Sequence, residues 1–267
     1  MLFALLVPAV GVAQPAPPER QLSVVVYHAH PDPAAGTARA DPFSSPASPP
    51  AARLPLTRVD GVLEASDAPG GDPASTSAHF MEMRRLVQER QRASPDLLLE
   101  LEARVEGGAV RGRASLPGAT VVVVEDGVEH DGDSGVRVHR FVARARAVAG
   151  EDGAFEVALE PGWDARRLAV VAWVTGADGV AQSATWRAGQ AGATAQRSHA
   201  PLVEHWTATW CAPCGPSDHA LALLAAQSGL PLDAGEGRYG GAVTPLLVAG
   251  LVVGALAGVA FVRGRRA

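Results

Sequence analysis

Alternation of apolar and polar positions dominates the middle of the chain. Residues 97–189 carry short alternating segments separated by glycine-containing turns, and this pattern predicts strands. The expected strands are residues 97–105, 109–115, 119–125, 137–147, 154–160, 168–174 and 179–187. Seven short strands at this spacing predict an immunoglobulin-like β-sandwich that lacks the cysteine pair of antibody domains.

Different patterns precede this region. Residues 22–28 form a continuous β-branched run, which predicts a buried strand, and residues 31–53 are dense in Pro, Ala, Ser and Asp, which predicts a loop. Residues 55–61 end in Asp-Gly, a typical hairpin turn, with residues 62–64 as the return strand. From residue 77 to 92 apolar side chains recur at threes and fours, so we expect a helix there.

After the sandwich, residues 190–200 are small and polar and predict a linker. Residues 201–209 predict another strand, which runs directly into the sequence Trp-Cys-Ala-Pro-Cys at residues 210–214. A helical pattern follows and continues to Gly229. The only two cysteines of the chain therefore stand between a strand and a helix.

Both ends of the chain carry apolar runs. Residues 242–262 contain no charge and reach about 30 Å as a helix, which predicts a transmembrane helix. The Arg-rich residues 263–267 would then be a cytoplasmic tail, with the bulk of the chain extracytoplasmic. Residues 1–13 predict a signal peptide, followed by a linker at residues 14–21.

The expected membrane helix has a stripe of small residues. Gly250, Gly254 and Gly258 recur every four positions, which would allow two such helices to pack closely as a homodimer. Glycine is also common in membrane helices without this role, and that alternative stays open. Residues 242–262 are the expected contact with membrane lipid.

Charge and cysteine content exclude several classes of protein. The net charge of -5, without a basic stripe, argues against nucleic acid as a partner. Two cysteines are too few for a disulfide-stapled scaffold or a structural zinc site. A chain with no other thiol suits a single redox-active pair.

The spacing of this pair indicates its chemistry. A strand that leads into a Cys-x-x-Cys at a helix start places Cys211 at the positive end of the helix dipole, which favours a nucleophilic thiolate. Cys214, one turn later, is placed to attack a mixed disulfide and release the product. Pro213 is expected to keep the helix start rigid, and Trp210 to shield the sulfur. Half of a zinc site and a structural disulfide are the alternatives.

The segment LVEHWTATWCAPCGPSDHALALLA at residues 202–225 resembles the active-site segment of thioredoxin-like proteins, especially extracytoplasmic, membrane-linked members. The later elements of that family do not follow Cys214, but residues 22–28, 55–61 and 77–92 resemble them. The resemblance implies an α/β thioredoxin-like domain, circularly rearranged and assembled from residues 22–93 and 201–229. The β-sandwich at residues 97–189 would lie between the two segments.

The resemblance also implies roles for particular residues. Cys211 and Cys214 would be catalytic, and the supporting residues would be Trp210, Pro213, Pro55, Glu204 and His205. Pro55 would be the family's cis-proline, which receives the substrate backbone. Glu204 or His205 would fall where the family has a buried acid.

No cofactor and no metal are expected. His28, His30 and Asp32 lie close enough in sequence to suggest a metal site, but ordinary polar residues at a strand end are the favoured explanation.

The function expected from these features is a membrane-anchored, extracytoplasmic thiol–disulfide oxidoreductase acting on protein thiols and disulfides. Whether it reduces, oxidises or isomerises is left open, because direction depends on thiolate stability. The alternative is a non-catalytic, membrane-tethered binding or adhesion protein, whose sandwich binds a partner and whose cysteines form a structural disulfide. A third possibility is a rearranged chain that never completes the thioredoxin-like domain.

Overall fold

The structure is a computed structural model, and it describes residues 22–29, 41–44, 53–65, 72–92, 97–196 and 198–228. The strands are β1 Ser23–His28, β2 Leu56–Val59, β3 Leu63–Glu64, β4 Leu99–Glu106, β5 Ala109–Ala114, β6 Thr120–Glu125, β7 Val128–Glu129, β8 Val138–His139, β9 Val142–Val148, β10 Ala154–Ala158, β11 Leu168–Gly176, β12 Gly179–Arg187, β13 Thr194–Gln196 and β14 Leu202–Thr207. The helices are α1 Pro73–Gln91 and α2 Cys214–Gln227, with one 3-10 turn at Ala165–Arg167.

An eight-stranded sheet forms the centre of the described structure, in the order β12-β11-β6-β9-β1-β14-β2-β3. Strand β1 pairs in parallel with β14 along its whole length, with Tyr27 opposite Trp206. On its other side it makes a short parallel contact with β9, where Val26 lies opposite Val142. All six residues of β1 are buried, as expected for a strand covered on both faces.

Both helices cover one face of the β1, β14 and β2 part of the sheet. Val26 and Val203 point from the strands into an apolar cluster that holds Met83 of α1 and Leu221 of α2. These side chains are nearly inaccessible to water, so their burial supplies a large share of the stability of this layer.

A second sheet covers the other end of the molecule. Its four strands lie in the antiparallel order β10-β5-β4-β13. Leu99 and Val110 from this sheet pack against Val121 and Trp186 from the eight-stranded sheet. The alternation of strand β6 explains this arrangement, since Val121 faces the second sheet and Val122 faces the opposite side.

The eight-stranded sheet curls until its two edges meet. At the meeting point Val180 of the edge strand β12 donates its N–H to the carbonyl oxygen of Asp60, in the β2–β3 turn, at 2.9 Å. The enclosed face is filled by an apolar cluster that includes Tyr27, Trp173 and Trp206. The curling therefore brings edge strand β12 into contact with the β2–β3 hairpin at the opposite edge of the sheet.

The predicted fold class is wrong. The described residues are mostly β-sheet with two helices, and no separate α/β thioredoxin-like domain is evident. Strands assigned to such a domain and strands assigned to a sandwich hydrogen-bond into one continuous sheet through the β1–β9 pairing. The hydrophobic pattern indicates which faces of a strand are buried, but it does not identify the neighbouring strand.

The prediction of a single-pass membrane protein is also wrong for the part of the chain that the structure describes. No helix among those residues is long and apolar enough to cross a membrane. The expected transmembrane helix at residues 242–262 and the tail at 263–267 lie outside the described residues, as do the signal peptide at 1–13 and the linker at 14–21. The membrane localisation and the lipid contact therefore have no structural support.

Most individual elements lie close to their predicted positions. The Asp-Gly turn is present, with Asp60 and Gly61 both at positive φ. Helix α1 begins earlier than predicted because the side chain of Asp72 accepts hydrogen bonds from the N–H groups of Ala74 and Ser75. Strands β7 and β13 were not predicted, and β13 lies in the expected linker.

Candidate functional site

Cys211 and Cys214 form a disulfide bond, with 5.3 Å between their Cα atoms. Cys211 is 6% exposed and Cys214 is 0% exposed. Both pack with Ala208 in a small apolar cluster, against which Leu54 and Trp210 also lie. Both cysteines are therefore buried, and Cys211 is slightly more accessible than Cys214.

The backbone around the pair is a succession of tight turns. The N–H of Cys211 donates to the carbonyl oxygen of Ala208 at 3.1 Å, and the N–H of Cys214 donates to the carbonyl oxygen of Cys211 at 2.9 Å. Helix α2 begins at Cys214, preceded by the exposed Pro213 as its N-cap residue, and its first turn carries no acidic side chain. Cys211 thus lies just before the positive end of the helix dipole, where a thiolate is stabilised.

A buried hydrogen-bond network lies between strands β2 and β14 and helix α2. The Nε2–H of His205 donates to Asp218 Oδ1 at 2.7 Å, and the Thr57 hydroxyl donates to His205 Nδ1 at 2.8 Å. The hydroxyl of Thr207 donates to the other oxygen of Asp218 at 3.0 Å. Asp218 follows Cys214 by four residues, so the two share a face of α2.

Glu204 lies on the opposite face of β14 from this network. It accepts a hydrogen bond from the Tyr27 hydroxyl at 3.2 Å. Burial raises the pKa of Glu204, although the Tyr27 hydrogen bond and nearby arginines lower it in part. Since neighbouring strand residues point to opposite faces, only His205 of the two candidates lies on the side of the cysteine-bearing helix.

The remaining predicted residues lie around the pair. The Leu54–Pro55 peptide bond is cis, as predicted for Pro55, and Pro55 is buried directly after Leu54. Trp210 packs against the cysteines, and its buried indole Nε1 has no hydrogen-bond partner among the described residues. The side chains of Trp210 and Leu54 thus flank the disulfide.

The hairpin of β7 and β8 contacts the chain on both sides of the cysteines. The N–H of Ser134, in the hairpin loop, donates to the carbonyl oxygen of Thr209 at 2.8 Å. The carbonyl oxygen of Ser134 lies so close to Gly215 that a Cβ atom there would overlap it. Gly132 is held against Thr209 in the same way. This hairpin is therefore part of the wall around the dithiol.

A buried carboxylate holds the segment that enters the dithiol. Asp41 Oδ2 accepts the Thr209 N–H at 2.6 Å, and His28 Nδ1–H donates to the same carboxylate at 3.2 Å. Burial would raise the pKa of Asp41, but its hydrogen bond to His28, the charge of that ring and two backbone N–H groups lower it below the ordinary value. The carboxylate is therefore ionised at neutral pH.

Aromatic rings surround this carboxylate. His28 packs edge-on against Phe43 and against His139, with ring centroids 5.1 and 5.2 Å apart. Burial, reinforced by the neighbouring His28, lowers the pKa of His139 to about 4. A cavity of about 20 Å³ lies beside His28, His139 and Asp218, and it is too small for an organic cofactor.

The alternative of a metal site at His28, His30 and Asp32 finds no support in the described residues. No group of three or more His, Cys, Asp or Glu side chains among them has an arrangement suited to a metal ion. His28 is bonded to Asp41, and the other two candidates, His30 and Asp32, lie outside the described residues.

The sequence interpretation missed Asp41 and Asp218. Asp218 stands four residues after Cys214 in a predicted helix, so helical spacing alone could have placed it beside the dithiol. Asp41 lies in a stretch predicted to be a loop, and nothing in its sequence neighbourhood indicates contact with Thr209, 168 residues later.

Comparison of the chain with protein-family models, with curated proteins and with solved structures finds no match.

Proposed function

We propose that this chain is a thiol–disulfide oxidoreductase that exchanges disulfides with protein substrates through Cys211 and Cys214. The observation that carries the proposal is the unequal exposure of the two bonded cysteines, 6% against 0%. Exchange needs one sulfur that a substrate can reach and a second that reacts only with the first. The position of Cys211 just before helix α2 favours the thiolate that the first step requires.

The exchange is balanced as follows in the reducing direction. The Cys211 thiolate attacks one sulfur of the substrate disulfide, so a mixed disulfide forms and the other substrate sulfur leaves as a thiolate that takes a proton from water. Cys214 then loses its proton and attacks the sulfur of Cys211, which re-forms the protein disulfide and releases the second substrate sulfur. Two electrons pass from the protein dithiol to the substrate. Oxidation of a substrate is the reverse of these steps.

We assign Asp218 as the base that accepts the proton of the Cys214 thiol. The carboxylate lies one helical turn from Cys214 on the same face of α2, where His205 and Thr207 hold it in place. A buried thiol reacts slowly unless a nearby base removes its proton, because only the thiolate is nucleophilic. Leu54 and Trp210, which pack against the cysteines, would border the place where the substrate backbone lies.

Reduction of insulin by dithiothreitol tests the proposal. We expect the wild-type protein to accelerate this reaction, and we expect Cys211→Ser and Cys214→Ser to abolish the acceleration. Wild-type activity no higher than that of the two serine variants would rule out the proposed oxidoreductase activity.

The same variants test the assigned order of attack. With Cys214→Ser, Cys211, the more accessible of the two cysteines, should form a stable mixed disulfide with a peptide disulfide. With Cys211→Ser, the fully buried Cys214 should react more slowly, by about tenfold or more. Equal rates for the two variants would remove the assignment of Cys211 as nucleophile, and a faster reaction of Cys211→Ser would reverse it.

A structural disulfide is the competing function, and the burial of both cysteines favours it. In that case the chain would be a non-catalytic binding protein, and the insulin experiment would show no difference between wild type and variants. The serine variants would then differ from wild type only in stability, by about 2 kcal/mol, because the disulfide closes a short loop.

A further inference from the structure

We propose that Asp41 is a positioning residue of the dithiol, which fixes the turn that presents Cys211 and whose negative charge sets the redox equilibrium of the Cys211–Cys214 couple. The inference rests on the proposed function, because it assumes that the couple exchanges electrons with a partner. It assigns a role to a side chain that lies 168 residues before Thr209 in the sequence.

The contacts of Asp41 show how the turn is fixed. Its side chain is inaccessible to water, and Oδ2 accepts the Thr209 N–H at 2.6 Å. Oδ1 accepts the N–H of Phe43 at 2.9 Å, which holds the carboxylate within its own short stretch of chain. The Thr209 contact is a charge-assisted hydrogen bond, and such bonds are about twice as strong as neutral ones.

Thr209 lies in the turn that leads to the first cysteine. The N–H of Cys211 donates to the carbonyl oxygen of Ala208, so Thr209 and Trp210 are the central residues of that turn. The carbonyl oxygen of Thr209 accepts from the N–H of Ser134. The N–H of Thr209 is therefore bound by the Asp41 carboxylate, and its carbonyl oxygen by the N–H of Ser134. Of these two partners, Asp41 is the charged one.

His28 holds Asp41 in its orientation. Its Nδ1–H donates to the carboxylate, and its ring is fully buried against Phe43 and His139. The ring cannot move without disturbing this packing, so the carboxylate keeps one direction toward Thr209.

The charge of Asp41 also bears on the two redox forms. Asp41 is bonded to the N–H of Thr209, two residues before Cys211. A negative charge at this position is expected to disfavour the Cys211 thiolate, since like charges repel in a site that is shielded from water. The thiolate belongs to the reduced form, so removal of the negative charge should favour the dithiol over the disulfide. A side chain with a purely structural role would not shift this equilibrium.

Asp41→Asn is the variant that tests this effect, because asparagine keeps an oxygen acceptor for Thr209 and removes the charge. Asp60→Asn is the matched control. Asp60 is equally buried and also accepts a hydrogen bond from a histidine, His199, and in addition one from Arg90. It binds the N–H of Leu202 at the start of strand β14, whereas Asp41 binds the N–H of Thr209 just beyond the end of that strand. Both variants should lose stability, and only one should change the redox equilibrium.

The measurement is the ratio of dithiol to disulfide in defined glutathione buffers. We expect Asp41→Asn to shift this ratio toward the dithiol by about threefold or more, where tenfold corresponds to about 30 mV. Asp60→Asn should leave the ratio as in wild type. A ratio for folded Asp41→Asn equal to that of wild type would overturn the inference. A wild-type couple that does not exchange with glutathione at all would instead overturn the proposed function.

The wild-type protein gives a second test that does not depend on a variant folding. If the Asp41–Thr209 hydrogen bond sets the redox equilibrium, the redox state must change the stability of that bond by the same factor. Hydrogen exchange of the Thr209 amide should therefore differ between the disulfide and dithiol forms. Equal protection of this amide in both forms would overturn the inference.

Discussion

Two buried histidines, His139 and His79, have pKa values that burial lowers. His139 lies inside the molecule at 4% exposure, and its Nε2 is bonded to the carbonyl oxygen of His130 at 3.2 Å. Burial and the adjacent His28 keep its pKa at about 4. His79, bonded to Ser217, has a pKa lowered by burial and by the neighbouring His205 ring. Both rings are stable inside the fold only when neutral.

His139 predicts a loss of stability in mild acid. Between about pH 6.5 and 4 the unfolded chain binds a proton at this residue and the folded chain does not, so the free energy of unfolding falls as the pH falls. The contribution of this one group is on the order of 3 kcal/mol once the pH is below 4. Urea denaturation of wild type and His139→Gln at several pH values measures it. We expect a shallower pH dependence for the variant, and parallel curves would contradict this account.

Among the elements, the β7–β8 hairpin is the one that ties the sandwich-like strands to the dithiol. Ser134 in its loop bonds Thr209, and its carbonyl oxygen lies against the start of α2 at Gly215. Gly215 has no unusual backbone angle, so the reason for glycine at this position is the close approach of the hairpin. This contact brings residues about 80 positions apart in the chain to the entrance of the helix.

Gly215→Ala tests this contact. A Cβ atom would overlap the Ser134 carbonyl oxygen, which is backbone and cannot rotate away, so we expect a loss of about 1–3 kcal/mol. Gly176→Ala is the control, because its Cβ would meet the Cβ of Ala181 at 3.4 Å and the carbonyl oxygen of Gly179 at 3.8 Å, which are ordinary contact distances. Chemical denaturation measures both. Alanine is the better helix former, so a variant at Gly215 as stable as wild type would show that the hairpin does not press on α2.

Some elements were predictable from the sequence, and their reasons are local. The Asp60-Gly61 turn, the strand at residues 22–28 and the helix that follows the cysteines each have a pattern within a few residues. The partner of a strand is not local. Nothing near Val26 indicates that it lies opposite Val142, and nothing near Asp41 indicates Thr209. Fold and site were therefore predicted where neighbours in sequence decide them.

At the scale of the whole molecule, the curled sheet is what brings the site together. Asp60 joins its two edges through the N–H of Val180, and its carboxylate also accepts hydrogen bonds from Arg90 and His199 at 2.6 and 2.7 Å. The residues around the dithiol come from the first strand, the short segments that hold Asp41 and Leu54, the β7–β8 hairpin, and the last strand with its helix. A site built from such distant segments depends on one continuous sheet, which explains why a separate domain was the wrong expectation.

The central claim is that the Cys211–Cys214 disulfide is exchanged with protein substrates and is not a structural bond. The standard redox potential of this couple, measured by equilibration of the purified protein with glutathione, tests it most directly. The account predicts a reversible equilibrium in the range of catalytic dithiols, between about −270 and −120 mV. A potential below about −300 mV, or no reduction by glutathione, is typical of structural disulfides and would contradict the account.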